Sequence, residues 1–395
     1  MPTEATFVLA AILIVFAGLG WAYDRLSRER DNAPPPGINA DYFRGLNLVL
    51  NRKTDEALEL FIQLAKVDDE TLETHFALGH LFRRRGEVDR AIRVHQNLLA
   101  RPSLSEAQRH QALFALAEDY LGAGLFDRAE TLFSELKSSE TLAQQALEKL
   151  IDIYEREKEW EKAIEAQHLL ERRTGERSPR VSHYHCELAE EARLRGDTAA
   201  AREQLRHAAS TESGRLRASL IGAAIAKSEQ RHAEAIKLYE QVIESDRRLI
   251  AEVLPDLLEC HERAGPSGIE RFDAYVARLA EKQPELEREL AYAAIVGELV
   301  QSKTLARCIE SFVLSNEILA NLVDVDELRG ADPARRERAV RRIATALRRL
   351  ALASARYRCT NCGYSSRRLI WHCPSCKQWE TVRPIQGINL EALVP

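Results

Sequence analysis

Two Cys-x-x-Cys pairs near the C-terminal end constrain the fold of this chain most tightly. Cys359 and Cys362 form the first pair, Cys373 and Cys376 form the second, and ten residues separate the pairs. Each pair can form a tight knuckle whose two sulfurs point to one centre, so the spacing predicts one tetrahedral metal ion held by four thiolates. A segment of about thirty residues buries too little surface to fold alone, and a bound metal would supply the missing stability.

The spacing leaves open which ion is bound and allows one alternative. Two disulfides would fit the same cysteines in an oxidising compartment, whereas the N-terminal topology described next predicts a reducing one. Zinc is the usual ion for four thiolates, and iron fits the same cage. Four thiolates close the coordination shell, so we predict a structural or docking element and no catalytic metal.

An apolar segment at residues 5–23 predicts a membrane anchor. Its nineteen residues, at about 1.5 Å per residue, just span a bilayer core. Arg25, Arg28 and Arg30 follow the segment and no basic residue precedes it, which places the bulk of the chain in the cytoplasm. A cleaved signal peptide, the alternative, would have basic residues before the apolar run and small residues at a cleavage site. We predict an anchor and juxtamembrane segment in residues 1–30 and a proline-rich linker in 31–37.

Composition points to a helical protein without a nucleic-acid partner. Only 6% of the residues are aromatic and 30% are charged, while Ala, Leu, Glu and Arg, which favour helices, are abundant. The formal net charge of −5 does not favour nucleic acid.

Residues 38–330 resemble tetratricopeptide repeats. Small residues recur in pairs twelve positions apart, and bulky residues follow the second member of each pair. The pairs are Gly45/Ala57, Gly79/Ala91, Ala117/Ala129, Ala189/Ala201, Ala223/Ala235 and Ala294/Ala306. Two further units are degenerate: Ile151 precedes Ala163 where a small residue is expected, and Cys260 and Phe272 occupy both small positions of the other. The pattern predicts an all-α solenoid of seven or eight helical hairpins with a curved protein-binding surface.

Four residues of the second repeat are predicted to face the concave, partner-binding side: Phe76, His80, Arg83 and Arg84. The alternative for the two arginines is a solvated helix end. A separate cluster, His183, His185 and Cys186, has no evident fourth ligand, and His185 points away from the face shared by the other two, so we predict packing there and no metal site.

An arginine-rich helix is predicted in residues 331–355. Asp332 is a good N-cap and Pro333 suits the first turn. Its apolar face comprises Val340, Ile343, Leu347 and Leu350. Its other faces carry Arg335, Arg336, Arg338, Arg341, Arg342, Arg348 and Arg349. These arginines form either the solvated outer face of a capping helix or a docking patch for anionic lipid or an acidic partner, with Arg338, Arg341 and Arg342 as the expected contacts.

The order of these segments, with a metal ribbon at 356–385 and a tail at 386–395, resembles the lipopolysaccharide assembly protein B family of Gram-negative bacteria across nearly the full length. The most specific signals are Tyr-Arg-Cys-Thr-Asn-Cys-Gly-Tyr at 357–364 and Trp-His-Cys-Pro-Ser-Cys-Lys-Gln-Trp at 371–379. The stretches at 41–47 and 61–92 are also similar to the family.

The resemblance implies a rubredoxin-like ribbon in which Cys359, Cys362, Cys373 and Cys376 hold one iron, or zinc, ion. It implies a single-pass inner-membrane adaptor that promotes degradation of the lipid A pathway deacetylase by the membrane protease FtsH. It also implies a role in gathering lipopolysaccharide-synthesis proteins at the membrane.

A one-electron redox protein, docked through its repeats, is the alternative function. Against it, Lys377 stands where rubredoxins usually carry a glycine. The sequence contains no nucleotide-binding loop, catalytic triad or carboxylate pair, so we predict that the chain is not an enzyme.

Overall fold

A computed structural model describes residues 40–51, 53–67, 72–322, 328 and 332–385, and its chain divides into two compact units between Ile153 and Tyr154. The predicted anchor and linker in residues 1–37 and the tail in 386–395 lie outside the described residues. Within these ranges, no helix is both long and apolar enough to cross a membrane.

The first unit consists of helices joined by short turns. The helices are α1 (Ala40–Leu50), α2 (Thr54–Val67), α3 (Leu72–Arg84), α4 (Val88–Leu99), α5 (Glu106–Gly122), α6 (Phe126–Glu135) and α7 (Ala143–Glu157), and the unit boundary falls within α7. A single 3-10 turn, Leu136–Ser138, follows α6.

The second unit continues the helical pattern and ends in a small sheet. Its helices are α8 (Trp160–Thr174), α9 (Arg180–Leu194), α10 (Thr198–Ala208), α11 (Glu212–Ser228), α12 (His232–Ser245), α13 (Ile250–Arg263), α14 (Gly268–Lys282), α15 (Glu287–Gly297), α16 (Lys303–Ser315), α17 (Glu317–Leu322) and α18 (Pro333–Ala353). Its strands are β1 (Tyr357–Cys359), β2 (Ser365–Ser366) and β3 (Val382–Pro384). Two 3-10 turns, Arg247–Leu249 and Pro284–Leu286, precede α13 and α15.

Small residues lie where consecutive helices approach each other. In the described chain, α1 to α16 carry the eight predicted pairs in order, and the pattern of an all-helical repeat array is confirmed. Ala57, Ala91, Ala129 and Ala235 are all fully buried. At the degenerate positions, Ile151, Cys260 and Phe272 are also buried, so larger side chains fill the same positions without breaking the helices.

Local sequence signals explain where these helices begin and turn. Gly86 and Gly196, between paired helices, have φ of +79° and +81°, a conformation that glycine adopts without strain. Ser105 begins α5 with a capping box: its hydroxyl accepts from the Gln108 amide at 3.3 Å, and the Gln108 side chain accepts from the Ser105 amide at 3.0 Å. Such reciprocal bonds satisfy two amides that a helix start leaves unpaired.

The helix α18 packs its apolar side into the core of the second unit. The Asp332 carboxylate accepts from the Ala334 amide at 3.0 Å and caps its first turn. Val340 and Leu347 are buried in the cluster that α13, α15 and α16 build, and Ile343 and Leu350 pack against that cluster. Arg335, Arg338, Arg341, Arg342 and Arg349 are exposed on its other sides. Arg336 is half-buried, and Arg348 turns back to donate to the Val296 carbonyl of α15 at 3.0 Å.

The C-terminal ribbon is a three-stranded antiparallel sheet in the order β2-β1-β3. Tyr357 pairs with Ser366 on one side, and Cys359 pairs with Val382 on the other. Its small core contains Tyr357, Cys359, Cys373 and Val382. With so few apolar side chains, this segment depends on its surroundings or on a ligand for stability.

Replacing Gly79 by alanine tests the close approach of α3 and α4. A Cβ at Gly79 would meet Cε1 of His95 at 2.5 Å, and the His95 ring cannot move aside because its Nδ1 is held by Asp119 Oδ2 at 2.5 Å. We expect Gly79→Ala to lower the free energy of unfolding of the first unit by about 1–3 kcal/mol. Guanidinium chloride unfolding, with hydrogen exchange of the α3 and α4 amides, measures the effect.

The matched control is Gly122→Ala, at the end of α5. A Cβ there would meet only Arg83 Cδ, at 3.9 Å, and alanine is up to about 1 kcal/mol better than glycine in a helix. An unchanged unfolding midpoint for Gly79→Ala would show that the His95 ring is not fixed in place.

Candidate metal centre

Four cysteine sulfurs converge at one end of the ribbon. The Sγ atoms of Cys359, Cys362, Cys373 and Cys376 all lie within 4.8 Å of one another. The pairs Cys359/Cys376 and Cys362/Cys373 are each separated by 3.7 Å. A disulfide would need about 2.05 Å, and all four are unbridged thiols. Metal–sulfur bonds of about 2.3 Å in a tetrahedron place sulfurs about 3.8 Å apart, so the four side chains fit one tetrahedral ion.

Two equivalent backbone turns position these sulfurs. The Gly363 amide donates to the Cys359 carbonyl at 3.0 Å, and the Lys377 amide donates to the Cys373 carbonyl at 3.0 Å. Gly363 has φ of +77° and Lys377 has φ of +58°. The second turn therefore keeps the knuckle geometry with a lysine, at the modest strain that a left-handed side chain carries. The absence of glycine after Cys376 does not prevent the knuckle from forming.

Local hydrogen bonds and burial shift the pKa values of these cysteine thiols in different directions. The Thr381 hydroxyl lies 3.3 Å from Cys359 Sγ, and hydrogen bonding to it lowers the pKa of Cys359 to about 6. The Asn361 side chain lowers the pKa of Cys376 in the same way. Burial raises the pKa of Cys373 to about 11. A cation in the centre of the cluster would stabilise the thiolate form of all four.

The ribbon is docked on helices of the second unit through Trp379. The Trp379 ring stacks with His183 of α9, at 4.9 Å between centroids and 14° between planes. It also stacks with His372 of the ribbon itself, at 4.5 Å and 10°. Trp160 and Tyr184 contact the same indole edge-on. Aromatic contacts of this kind add about 0.5–1.5 kcal/mol each beyond the area they bury.

A buried carboxylate ties the indole to the helices. Glu155 lies in the last part of α7, which belongs to the second unit. Its Oε1 accepts from Trp379 Nε1 at 2.9 Å and from the Tyr184 hydroxyl at 2.6 Å. Glu155 is 8% exposed. Burial raises the pKa of Tyr184 strongly, with a further contribution from the Glu155 charge. Removing one of the two hydrogen bonds that this buried carboxylate accepts costs free energy, so the contact favours the docked ribbon.

Cationic groups complete the docking surface. The Arg217 guanidinium, in α11, lies over the rings of Trp371 and Trp379 at 5.6 and 6.0 Å and donates to Glu187 at 2.6 Å. A second attachment lies at the start of the ribbon, where Arg356 forms an ion pair with Glu252 of α13. Arg383 of β3 lies 3.6 Å from Asp246. The ribbon thus rests on α7, α9, α11 and α13.

His183 and Cys186 pack as the sequence indicated. His183 lies against Trp379 and places its Nε2 3.2 Å from Glu380 Oε1. Cys186 is fully buried, and burial raises the pKa of its thiol to about 12. His185 points elsewhere, and its Nδ1 donates to Gln204 Oε1 at 2.8 Å. Among the described residues, none of the three belongs to a group with metal-binding geometry.

The predicted contact residues of the second repeat are largely used inside the first unit. Phe76 is buried in a cluster with Leu98, so it does not offer a surface contact. Arg83 donates to Asp119 at 2.6 Å and to Glu118 at 2.8 Å, which is an internal ion pair between α3 and α5 and not a solvated helix end. Two residues, His80 and Arg84, are exposed at the surface. The imidazole of His80 is still partly screened from water, and this desolvation, with the charge of Arg83 2.8 Å away, lowers the pKa of His80.

The outward arginines of α18 form a shallow basic surface. Arg338, Arg341 and Arg342 are exposed and line one groove with Arg335 and Arg349. Arg341 pairs with Glu337 at 3.2 Å on this surface. The three predicted contacts are therefore brought together, on a face of α18 opposite to its buried apolar residues.

Sequence reasoning missed the helical side of the docking surface. Glu155, Trp160 and Tyr184 follow the repeat pattern as ordinary buried residues, and no motif distinguishes them. The structure shows Arg217 to be only 6% exposed. Buried charges generally have a specific partner, but this burial could not be read from the sequence.

Comparison with known proteins agrees with both parts of this architecture. The model of a rubredoxin metal binding domain matches residues 357–384, and the model of a tetratricopeptide repeat matches residues 74–107. A solved tetratricopeptide repeat protein from Parabacteroides merdae is similar at 15% identity and a TM-score of 0.34, over 69% of this chain and 100% of that one.

Two curated relatives are similar over almost their whole length. Lipopolysaccharide assembly protein B of Escherichia coli (strain K12) is 31% identical over 388 residues, which cover 97% of this chain and 99% of the relative. The protein of the same name from Haemophilus influenzae is 31% identical over 398 residues, covering 96% and 98%. Because both relatives are more than 30% identical to it over almost their whole length, the chain belongs to the lipopolysaccharide assembly protein B family.

Proposed function

We propose that this protein is a non-enzymatic adaptor in lipopolysaccharide assembly, tethered to the inner membrane with its bulk on the cytoplasmic side. Its role in this proposal is to bring the lipid A pathway deacetylase to the membrane protease FtsH and so to promote its degradation. A second role is to gather other lipopolysaccharide-synthesis proteins. The observation that supports it most is the 31% identity to proteins named for lipopolysaccharide assembly, over 97% of the chain.

The architecture suits an adaptor. Stacked helical repeats present extended surfaces for protein partners. An anchor in residues 1–30 would hold those surfaces near the bilayer, which raises the effective concentration of two partners without any new contact between them. His80 and Arg84 on α3, and Arg338, Arg341 and Arg342 on α18, are the exposed candidates for such contacts.

The ribbon serves in this proposal as a metal-stabilised part of the adaptor. Cys359, Cys362, Cys373 and Cys376 would hold one iron or zinc ion. When bound, the ion would cross-link the two knuckles. The residues of this chain then position Trp371, His372 and Trp379 for docking on α9 and α11.

Metal removal is expected to release the ribbon from the helices. We expect one metal ion per chain by elemental analysis, which also distinguishes iron from zinc, and about 10–16 kcal/mol of apparent binding free energy if the ion is zinc. Stripping the ion, or the double variant Cys359→Ser/Cys362→Ser, should shift the tryptophan fluorescence to longer wavelength because Trp371 and Trp379 leave their packed surroundings. A metal-free protein with unchanged fluorescence would contradict the proposed role of the ion in docking.

The adaptor role is tested by following the lipid A deacetylase after translation is stopped. In cells depleted of this protein, the deacetylase should persist severalfold longer than in undepleted cells, and wild-type protein should restore rapid loss. The Cys359→Ser/Cys362→Ser variant should fail to restore it.

The control for that variant is Cys260→Ala. Cys260 is buried at a position where four of the other seven repeats carry alanine, so this change removes a thiol without disturbing the ribbon. It should restore rapid loss fully. An unchanged half-life in depleted cells would refute the proposed function itself, whichever variant is supplied.

The basic surface of α18 is expected to contribute through charge. The triple variant Arg338→Ala/Arg341→Ala/Arg342→Ala should prolong the deacetylase half-life. Binding of the wild-type protein through these arginines should also weaken as salt is added, because exposed charges are screened beyond about 10 Å at 0.1 M salt. A pair of exposed arginines elsewhere, Arg109 and Arg172, provides the matched alanine control. Equal effects of the two sets would mean that α18 has no special role.

A further inference from the structure

A cleft in the second unit lies where the ribbon meets three helices. It has a volume of about 330 Å³, which is at the small end of the range for ligand sites. The start of α13 and the 3-10 turn before it form one wall, α15 and α16 form another, and the ribbon closes the third side with Tyr357 and Pro384. None of the cysteines belongs to the lining.

Three polar atoms on the walls of this cleft are buried without a hydrogen-bond partner in the described protein. They are the Tyr357 hydroxyl, Arg356 Nε and Glu289 Oε2. Tyr357 is 1% exposed, and the Glu252 carboxylate lies near its hydroxyl but is not hydrogen-bonded to it. A buried polar group that makes no hydrogen bond is costly. Two of the three atoms can donate and one accepts, which indicates a ligand with acceptor atoms and at least one donor.

One guanidinium on the walls of the cleft is available to an anion. Four arginines line the cleft and two acids oppose them: Arg247, Arg248, Arg288, Arg356, Glu252 and Glu289. Three of the four arginines are already paired with acids: Arg247 donates to Glu285 at 3.2 Å, Arg248 to Asp246 at 2.8 and 2.7 Å, and Arg356 is paired with Glu252. Arg288 is exposed and has no ion pair with any described residue. Its planar guanidinium suits a phosphate or carboxylate group.

The remaining walls are apolar. Ile250 is fully buried beside the cleft, and Phe312, Tyr292 and Ile385 line it. An inorganic anion would leave these side chains without contact, whereas an apolar group attached to the anion would cover them. The combination of an available guanidinium, unpartnered donors and aromatic walls is what an amphipathic anion requires.

We propose that this cleft binds a small amphipathic anion. Arg288, the Tyr357 hydroxyl and Arg356 Nε hold its phosphate or carboxylate group. Phe312 and Tyr292 contact its apolar part, and Glu289 accepts from a hydroxyl or amine of the ligand. Because Arg356 and Tyr357 belong to the base of the ribbon, the ligand binds the docked ribbon more tightly than the released one.

Phenyl phosphate is the probe that tests this proposal. Isothermal titration uses the full chain in phosphatidylcholine nanodiscs, with inorganic phosphate and phenol as the two half-probes. We expect phenyl phosphate to bind at least tenfold more tightly than either half, because the anion and the ring are recognised together. Failure of phenyl phosphate to bind at millimolar concentration, or binding no tighter than inorganic phosphate, would overturn the proposal.

Two single variants test whether the ligand binds at this cleft. Arg288→Ala removes the available cation and should weaken phenyl phosphate binding about tenfold, and Tyr357→Phe removes one donor while keeping the ring and should weaken it severalfold. Arg263→Ala is the control, since Arg263 is an exposed arginine at the end of α13 that does not line the cleft. If Arg263→Ala weakens binding as much as Arg288→Ala does, binding is nonspecific and the proposed site is wrong.

The source of the ligand is distinguished by the nanodisc lipid. Replacing part of the phosphatidylcholine with phosphatidic acid should compete with phenyl phosphate if the natural ligand is a lipid headgroup. It should leave the titration unchanged if the ligand is a soluble metabolite. Both outcomes retain the amphipathic anion, and neither depends on the half-life of the deacetylase, so this test and that of the proposed function can fail separately.

Discussion

The close approach of consecutive helices at small side chains is the constraint on which the rest of the structure depends. At Gly79 the His95 ring of the neighbouring helix fills the space that a Cβ atom would need. At Ala57, Ala91 and Ala129 the contact is fully buried. Helices that meet this closely have little freedom to slide. Because each hairpin fixes the next, side chains far apart in sequence acquire defined positions on a common surface.

The docked ribbon uses such a surface. Glu155, His183 and Arg217 come from three different helices of the second unit, and their partners lie in one ribbon segment around Trp379. The contact joins residues 224 positions apart. A flexible tether between array and ribbon would not place a buried carboxylate, an imidazole and a guanidinium around one indole. The repeats therefore act as the scaffold of the metal centre as well as a surface for partners.

The sequence predicts the parts of this arrangement that have a period or a fixed spacing. The twelve-residue pairs located the helices, and the two Cys-x-x-Cys pairs located the converging sulfurs, because both patterns follow from local geometry. Ile151 and Phe272 replace small residues, which weakened the twelve-residue pattern in the sequence without changing the fold. The neighbouring helices accommodate these larger side chains.

Contacts between distant segments have no such pattern. Arg83 was expected to face a partner or the solvent, yet it pairs with Asp119 thirty-six positions later. Glu155 and Tyr184 are indistinguishable in sequence from other buried residues of the repeats, and the unpartnered Tyr357 hydroxyl follows from where α13 and α15 lie. Periodicity states which face of a helix is buried, and it does not state what covers that face.

The relative strength of the two sets of contacts determines how the ribbon can respond. Its hold on the helices combines aromatic contacts worth about 0.5–1.5 kcal/mol each with a hydrogen bond to a charged acceptor worth about 1.5–3 kcal/mol. The Arg217 guanidinium over two indoles and the ion pairs of Arg356 and Arg383 add to it. A structural zinc ion contributes on the order of 10–16 kcal/mol to a fold of this kind. Each docking contact is weaker than the hold of four thiolates on an ion, so the ribbon should begin to leave the helices before it loses its ion. If it does, Tyr184 still donates to Glu155, which lowers the cost of the released state. The docking contacts can therefore change while the four thiolates keep their ion.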